Sequence, residues 1–201
     1  MKKFLMTVAA SFMVALGANA QTAGDMFLKP MVGGTLSTLT DVDHTKMRLG
    51  IVAGAEGGYH LTDQIAVTGG LLVSMQGTNY EDNDYEKDHS TTLTYLNIPI
   101  QANYYLMPGL AIKAGIQPGF LLSCKYKGKE KVGSDWREWD ESSTDGLKKF
   151  DLSIPIGLSY EISDFVIDAR YNLGLTKTND KGDKSVKNSV FMLTLGYKIP
   201  F

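Results

Sequence analysis

Apolar and polar side chains alternate in eight separate segments of the chain, and this alternation constrains the fold more than any other feature. Successive side chains of a β-strand point to opposite faces, so each segment predicts a strand with one apolar face. The segments cover residues 27–37, 48–60, 64–76, 92–105, 110–123, 149–161, 165–175 and 189–201. The last segment, FMLTLGYKIPF, alternates without exception and ends on Phe201. The pattern predicts an all-β protein.

The breaks between these segments are short and long in strict alternation. Turn-forming residues occupy the short breaks at 62–63, 108–109 and 163–164, and the long breaks cover 38–47, 77–91, 124–148 and 176–188. All short turns therefore lie at one end of an antiparallel up-and-down sheet, and all long loops lie at the other. Outer-membrane barrels have this asymmetry, although soluble eight-stranded barrels share the topology.

The size of the side chains on the two faces distinguishes these alternatives. The apolar face carries bulky residues such as Ile51, Leu71 and Ile156, whereas the other face is rich in Gly and Ser. The interior of an eight-stranded barrel is just wide enough for its own side chains. The bulky face must therefore point outward, and an outward apolar band requires lipid. The prediction is an eight-stranded, antiparallel, up-and-down transmembrane β-barrel.

Aromatic residues are predicted to form two rows at the ends of the strands. Seven lie close to the short turns: Phe27, Tyr59, Tyr104, Tyr160, Phe165, Tyr197 and Phe201. Phe120, Phe150 and Phe191 lie close to the long loops. The distance between the rows on the sixth strand is about 25 Å at a tilt of roughly 40°, which matches the apolar band of an outer-membrane barrel.

The amino-terminal residues have the pattern of a cleaved signal peptide. Lys2 and Lys3 precede a short apolar stretch and the A-x-A site at 18–20. The stretch is shorter than the roughly 20 apolar residues of a membrane span. We therefore expect a signal peptide at 1–20, a barrel domain at 21–201 and export to the cell outer membrane. The formal net charge of −2 gives no indication of nucleic-acid binding.

The inward face is predicted to hold charged residues of both signs. Buried charges are stable only when they are paired or hydrogen-bonded, so these side chains should form a polar network. Its expected members are Glu56, Lys113, Asp151, Asp168, Arg170 and Lys198. Such a network would plug the lumen, and the alternative is a pathway for ions or protons.

Two of the long loops are candidates for binding. The second loop is acidic, with Glu81, Asp82, Asp84, Glu86 and Asp88, and this density of carboxylates would suit Ca²⁺ or ions shared with lipopolysaccharide. Its spacing lacks the glycine and the terminal glutamate of an EF-hand, which favours a solvated loop.

The third and longest loop contains Trp136 and Trp139. Exposed indoles are frequent anchors for a protein partner, and the alternatives are a position at the membrane interface or over the barrel mouth.

An enzymatic role is the weaker hypothesis. His44 and His89 each stand beside carboxylates in an outer loop, and a His–carboxylate pair can activate water. The chain has no G-x-S-x-G motif and no pair of histidines at metal-ligand spacing. The sequence therefore predicts no enzyme activity, no cofactor and no metal site.

The chain resembles the PorT-like outer-membrane β-barrel domain family over nearly all of its predicted mature length. The most characteristic stretches are YLNIP at 95–99, the G-x-x-x-G at 115–119 and DARYNLGLT at 168–176. The family often has an acidic residue on the third strand where this chain has Gly70. The resemblance implies an outer-membrane barrel, and its namesake is linked to protein secretion. It also implies that Phe201, with Tyr197, is the assembly signal read by the barrel-assembly machinery.

The sequence thus predicts a non-enzymatic barrel with a structural, adhesive or secretion-associated role. Its expected partners are outer-membrane lipid, lipopolysaccharide, the barrel-assembly machinery and an envelope protein that binds the outer loops. The alternative function is a narrow channel for ions or small solutes.

Overall fold

A computed structural model of the chain describes residues 22–40, 45–81, 86–132, 135–179 and 185–201. The predicted signal peptide at 1–20 lies outside the described residues and stays a prediction. The described part contains strands and no helix that is long and apolar enough to cross a membrane.

Eleven strand segments follow one another along the described chain. They are β1 Met26–Leu39, β2 Thr45–His60, β3 Ile65–Tyr80, β4 Glu86–Asn97, β5 Ile100–Met107, β6 Leu110–Val132, β7 Asp135–Ser142, β8 Phe150–Ile162, β9 Phe165–Gly174, β10 Asn188–Tyr197 and β11 Ile199–Pro200. Segments that lie side by side in the sheet pair in antiparallel fashion, and β1 pairs with both β2 and β10. The described barrel wall therefore closes on itself, with only β7 outside the ring, and closure is the condition for a sheet that spans a membrane.

Two breaks divide single barrel strands rather than separate them. The gap between β4 and β5 falls at Ile98 and Pro99, whose backbone still bonds to both neighbouring strands through Pro118 and Gly70. The gap between β10 and β11 falls at Lys198, and both segments pair with β1 in one continuous register. The ring thus has eight walls, which confirms the predicted eight-stranded, up-and-down antiparallel barrel.

The short turns are tight, as the sequence predicts. Two residues connect β5 to β6 and two connect β8 to β9. Gly109 has a φ of 83° and Ser163 a φ of 54°, as two-residue hairpins require. At the other end, the strands continue further than predicted into the second and third loops. The third loop, predicted as a long break at 124–148, contains a paired hairpin: β6 continues to Val132 and pairs with β7 over eight residues.

The large outward side chains of the wall are apolar and exposed, including nine on β9 to β11: Phe165, Ile167, Tyr171, Leu173, Phe191, Leu193, Leu195, Tyr197 and Ile199. Typical exposed fractions on this wall are 44% for Phe191, 51% for Leu193, 50% for Leu195 and 43% for Tyr197. The predicted assignment of faces is correct. One aromatic prediction is wrong, because Phe27 points into the lumen and is buried rather than part of the inner row. Its position follows from β1, where Phe27, Lys29 and Met31 share the inward face.

The lumen is filled in layers from the short-turn end to the long-loop end. A base of Phe27, His60, Tyr105, Glu161 and Lys198 comes first. A charge layer follows, formed by Lys29, Glu56, Lys113, Asp168 and Arg170. An aliphatic layer of Met31, Val52, Leu72, Val190 and Met192 lies above it. An outer cap of Leu93, Tyr95, Leu121 and Cys124 completes the filling.

Candidate functional site

The charge layer is the most tightly bonded part of the lumen. Arg170 donates from Nη1 to Glu56 over 2.7 Å and from Nε to Asp168 over 2.8 Å. Lys29 lies 2.9 Å from Glu56, and Lys113 donates to Asp168. All five side chains are almost completely buried. Buried charges are stable only with partners of opposite sign, so the layer holds together as one unit.

Four different walls of the barrel contribute to the charge layer. Lys29 comes from β1, Glu56 from β2, Lys113 from β6, and Asp168 and Arg170 from β9. The pairs of Glu56 with Arg170 and Lys113 cross the lumen, whereas Lys29–Glu56 joins neighbouring strands and Asp168–Arg170 lies within β9. This arrangement blocks the central passage and links opposite sides of the barrel.

Glycines on the neighbouring strands make room for these side chains. Glu56 is opposite Gly70 in the register, and a Cβ at Gly70 would lie 2.7 Å from Glu56 Cγ. A Cβ at Gly157 would lie 2.8 Å from both Cα and Cβ of Arg170, its partner on β9. Small inward residues are thus a steric requirement of the charge layer. In this chain, the carboxylate beside Gly70 of the third strand belongs to Glu56 on β2.

The structure brings together four of the six residues predicted for the lumen network: Glu56, Lys113, Asp168 and Arg170. Lys198 belongs to the base, where it lies 2.9 Å from Glu161 and 4.6 Å from the Phe27 ring centroid. The single predicted network is therefore divided along the barrel axis. Strand parity assigns Lys198 to the correct face, but it carries no information about the position of Lys198 along the barrel axis.

Asp151, the sixth predicted member, lies near the outer cap. Its carboxylate accepts hydrogen bonds from Thr176 over 2.7 Å and from Asn188 over 3.2 Å. Asn188 also donates to the hydroxyl of Tyr95 over 3.3 Å. Sequence reasoning missed both Tyr95 and the aliphatic layer. The inward parity of Val52 and Met192 was the available signal for that layer.

The β6–β7 hairpin is the longest element beyond the barrel wall. Its strands are paired from Lys125 opposite Ser142 to Val132 opposite Asp135. Lys129 lies 3.0 Å from Asp88 and 3.3 Å from Glu138, and these hydrogen bonds raise the pKa of Lys129. Lys127 lies 3.9 Å from Asp140. The lysines in the middle of the hairpin thus have acidic neighbours.

The two tryptophans occupy opposite faces of β7, because they are three residues apart. The ring of Trp139 is half-buried, lies over Gly128 and has its centroid 5.5 Å from that of His89. His89 in turn stacks on Tyr80 at 4.5 Å. Trp136 is 37% exposed, with the Lys87 ammonium 4.5 Å above its ring. Trp139 therefore joins the hairpin to the barrel, while Trp136 keeps part of its surface exposed.

The described candidate residues for enzyme and metal chemistry are not assembled into a site. His89 packs between aromatic rings, and the carboxylate of its neighbour Asp88 pairs with Lys129. His44 lies outside the described residues, as do Asp82, Asp84 and the side chain of Glu86. Within the described ranges, no three His, Cys, Asp or Glu side chains are grouped as metal ligands would be.

A closed eight-stranded sheet with an apolar outer wall and a filled lumen defines a class of integral outer-membrane barrels. The family model described as outer membrane protein beta-barrel domain matches residues 9–180. The chain belongs to this family and is located in the cell outer membrane. The narrower PorT-like designation remains a prediction. No curated protein sequence matches the chain.

Two solved structures with TM-scores of 0.50 or more support the fold. The crystal structure of Ail, the attachment invasion locus protein of Yersinia pestis, has a TM-score of 0.52 at 16% identity and covers 89% of this chain and 100% of Ail. Ail in complex with the heparin analogue sucrose octasulfate has a TM-score of 0.50 at 18% identity, with the same coverage. Neisserial surface protein A has a TM-score of 0.48 at 11% identity, covering 91% of this chain and 99% of that protein. At these identities the similarity to Ail concerns the fold alone.

Proposed function

We propose that this protein is a non-enzymatic outer-membrane scaffold that presents the β6–β7 hairpin to an envelope protein or an adhesion partner. The observation that carries the proposal is the contrast between Trp136 and Trp139. The half-buried Trp139 packs beside His89 and braces the hairpin, while Trp136 stands on the opposite face with 37% of its surface exposed. A rigid element with an exposed aromatic residue is typical of a binding surface.

The filled lumen supports a scaffold rather than a channel. The charge layer, the aliphatic layer and the outer cap lie on one another across the barrel. Conducting lumens occur in barrels with many more strands. The protein refolded into planar bilayers should give no discrete conductance steps; stable single-channel steps would contradict a plugged lumen.

The proposal also includes the lipids and proteins that contact the barrel. Outer-membrane lipid and lipopolysaccharide cover the outer wall. Phe201 and Tyr197 act as the assembly signal for the barrel-assembly machinery. Phe201 is 79% exposed and its N–H donates to Met26 over 2.9 Å, which fixes the last strand against β1. A role in secretion, as in the namesake of the PorT-like proteins, is one form that the envelope partnership can take.

The test is photo-cross-linking in living cells from a reactive residue at position 138 beside Trp136. We expect an adduct of discrete mass that disappears in a Trp136→Ala variant. The matched control is Val132→Ala, which truncates another exposed apolar residue of the same hairpin. The absence of an adduct, or equal adducts from both variants, would overturn the proposed binding surface.

A further inference from the structure

Three lysines surround a groove at the outer end of β8 and β9. The groove has a volume of about 620 Å³ and is lined by Leu147, Lys148, Lys149, Phe150, Thr176 and Lys177. All three lysines are exposed. Among the described residues that line the groove, none is acidic. The described lining of the groove therefore carries three positive charges and no negative one.

Other lysines at this end of the barrel have carboxylates close to their ammonium groups. Lys127 and Lys129 on the hairpin lie within 4 Å of carboxylates, at 3.9 Å from Asp140 and 3.0 Å from Asp88. Lys148, Lys149 and Lys177 form no ion pair with any residue in the described ranges. Their ammonium groups are thus available to an external anion.

The groove is also continuous with the lipid-facing wall. Along β9 and beyond, Leu173, Leu175 and Lys177 occupy successive outward positions. Lys148 precedes the outward Phe150 by two residues. Lys148 and Lys177 therefore lie just beyond the outer ends of the neighbouring strands β8 and β9, next to the apolar surface. In outer-membrane barrels the apolar band of the wall ends where the acyl chains give way to headgroups.

The backbone holds these residues in place. The N–H of Lys148 donates to the carbonyl of Thr178 over 2.9 Å, and Leu147 forms a β-bridge with Asn179. Below them, the rings of Phe120 and Phe150 meet edge to face at 5.7 Å. The groove therefore combines fixed cationic groups with an aromatic surface suited to acyl chains.

We propose that Lys148, Lys149 and Lys177 bind the phosphate groups of the phosphorylated glycolipid of the outer leaflet, with Phe150 packed against its acyl chains. Charge-assisted hydrogen bonds from several lysines to one phosphorylated headgroup are the strong type of polar contact. This proposal rests on the lipopolysaccharide contact included in the proposed function and assigns it a site. It is independent of the binding surface around Trp136.

The experiment measures binding of purified lipopolysaccharide to the full protein in detergent micelles. The site variant is Lys148→Gln/Lys149→Gln/Lys177→Gln, and the matched control, Lys127→Gln/Lys129→Gln/Lys131→Gln, removes the same charge from the hairpin. We expect at least about tenfold weaker binding for the site variant and little change for the control. Unchanged binding by the site variant would overturn the proposal. Gel mobility of the folded barrel verifies that both variants have folded.

Two further probes distinguish the source of the phosphate. Lipopolysaccharide treated with phosphatase should bind the wild-type protein as weakly as intact lipopolysaccharide binds the site variant. Phe150→Ser should weaken binding of the glycolipid but leave binding of inorganic phosphate unchanged. Equal binding of treated and untreated lipopolysaccharide would exclude phosphate recognition. Inorganic phosphate that binds as tightly as the glycolipid would exclude the lipid as the ligand. In both cases the cross-linking result at the hairpin would be unaffected.

Discussion

The guanidinium group of Arg170 on β9 donates to the carboxylate of Glu56 on β2 over 2.7 Å, across the lumen of the barrel. Arg170 also donates two hydrogen bonds to Asp168, two residues earlier on its own strand. The cations that pair with Glu56 therefore all lie on other strands. Asp168, in contrast, lies on the same strand as Arg170 and orients its guanidinium group. The pair joins strands that are not neighbours in the sheet.

Replacing Glu56 by Gln should destabilise the barrel strongly. The variant leaves Lys29, Lys113 and Arg170 opposite one remaining carboxylate, and removal of one partner from a buried ion pair costs about 3–5 kcal/mol. Unfolding of the refolded protein in urea measures the loss. Asp140→Asn, which removes an exposed partner of Lys127, is the matched control and should have no measurable effect. Equal midpoints for the two variants would show that the charge layer does not stabilise the fold.

Gly157→Ala should also destabilise the barrel, because the new methyl group has no space. Its Cβ would lie 2.4 Å from the carbonyl oxygen of Ala169 and 2.8 Å from Cα of Arg170. Such overpacking costs about 1–3 kcal/mol. Gly34→Ala is the control, since the nearest atom to its Cβ is 3.8 Å away. Thermal unfolding of both variants in micelles makes the comparison, and an equal loss for Gly34→Ala would contradict the steric explanation.

Labelling of single cysteines should establish which end of the barrel faces outward. Cys124 is only 1% exposed, so the native thiol should not react with a maleimide until the barrel unfolds. Lys131→Cys on the hairpin should react with a membrane-impermeant maleimide on intact cells. Asp63→Cys, in the turn between β2 and β3, should react only after the outer membrane is permeabilised. The opposite pattern would invert the orientation.

The assembly role proposed for Phe201 predicts a defect in cells that is absent in vitro. Phe201→Asp should lower the amount of inserted barrel, because a charge would replace the aromatic residue that we propose as the assembly signal. Phe201→Tyr keeps the ring and should insert normally. Heat-modifiable migration of membrane fractions measures insertion. Normal insertion of Phe201→Asp in cells would refute the assignment, and failure of this variant to refold in detergent would assign the defect to folding instead.

Strand parity made the wall of the barrel predictable. A period of two is a local property, so Leu193 and Leu195 could be assigned to lipid, and Asp168 and Arg170 to the lumen, from sequence spacing alone. The division of the lumen into layers was not predictable in the same way. The height at which Lys198 meets Glu161 depends on the stagger between strands, which no single segment encodes.

The β6–β7 hairpin was missed for a different reason. Both of its faces are polar or exposed, so its strands lack the apolar alternation that identifies the wall. Backbone pairing with the end of β6 and contacts such as Trp139 with Gly128 stabilise it instead. The sequence singled out both tryptophans, but their different exposure depends on that unpredicted strand.

The match between charged side chains and glycines restricts how this lumen can change during evolution. Glu56 occupies the space above Gly70, and Arg170 occupies the space above Gly157. A side chain added on the glycine strand collides with its occupant, and truncation of the charged residue leaves a void beside unpaired charge. Viable substitutions at these positions must therefore occur as exchanges between partners. A relative with a carboxylate in place of Gly70 should carry a small residue in place of Glu56.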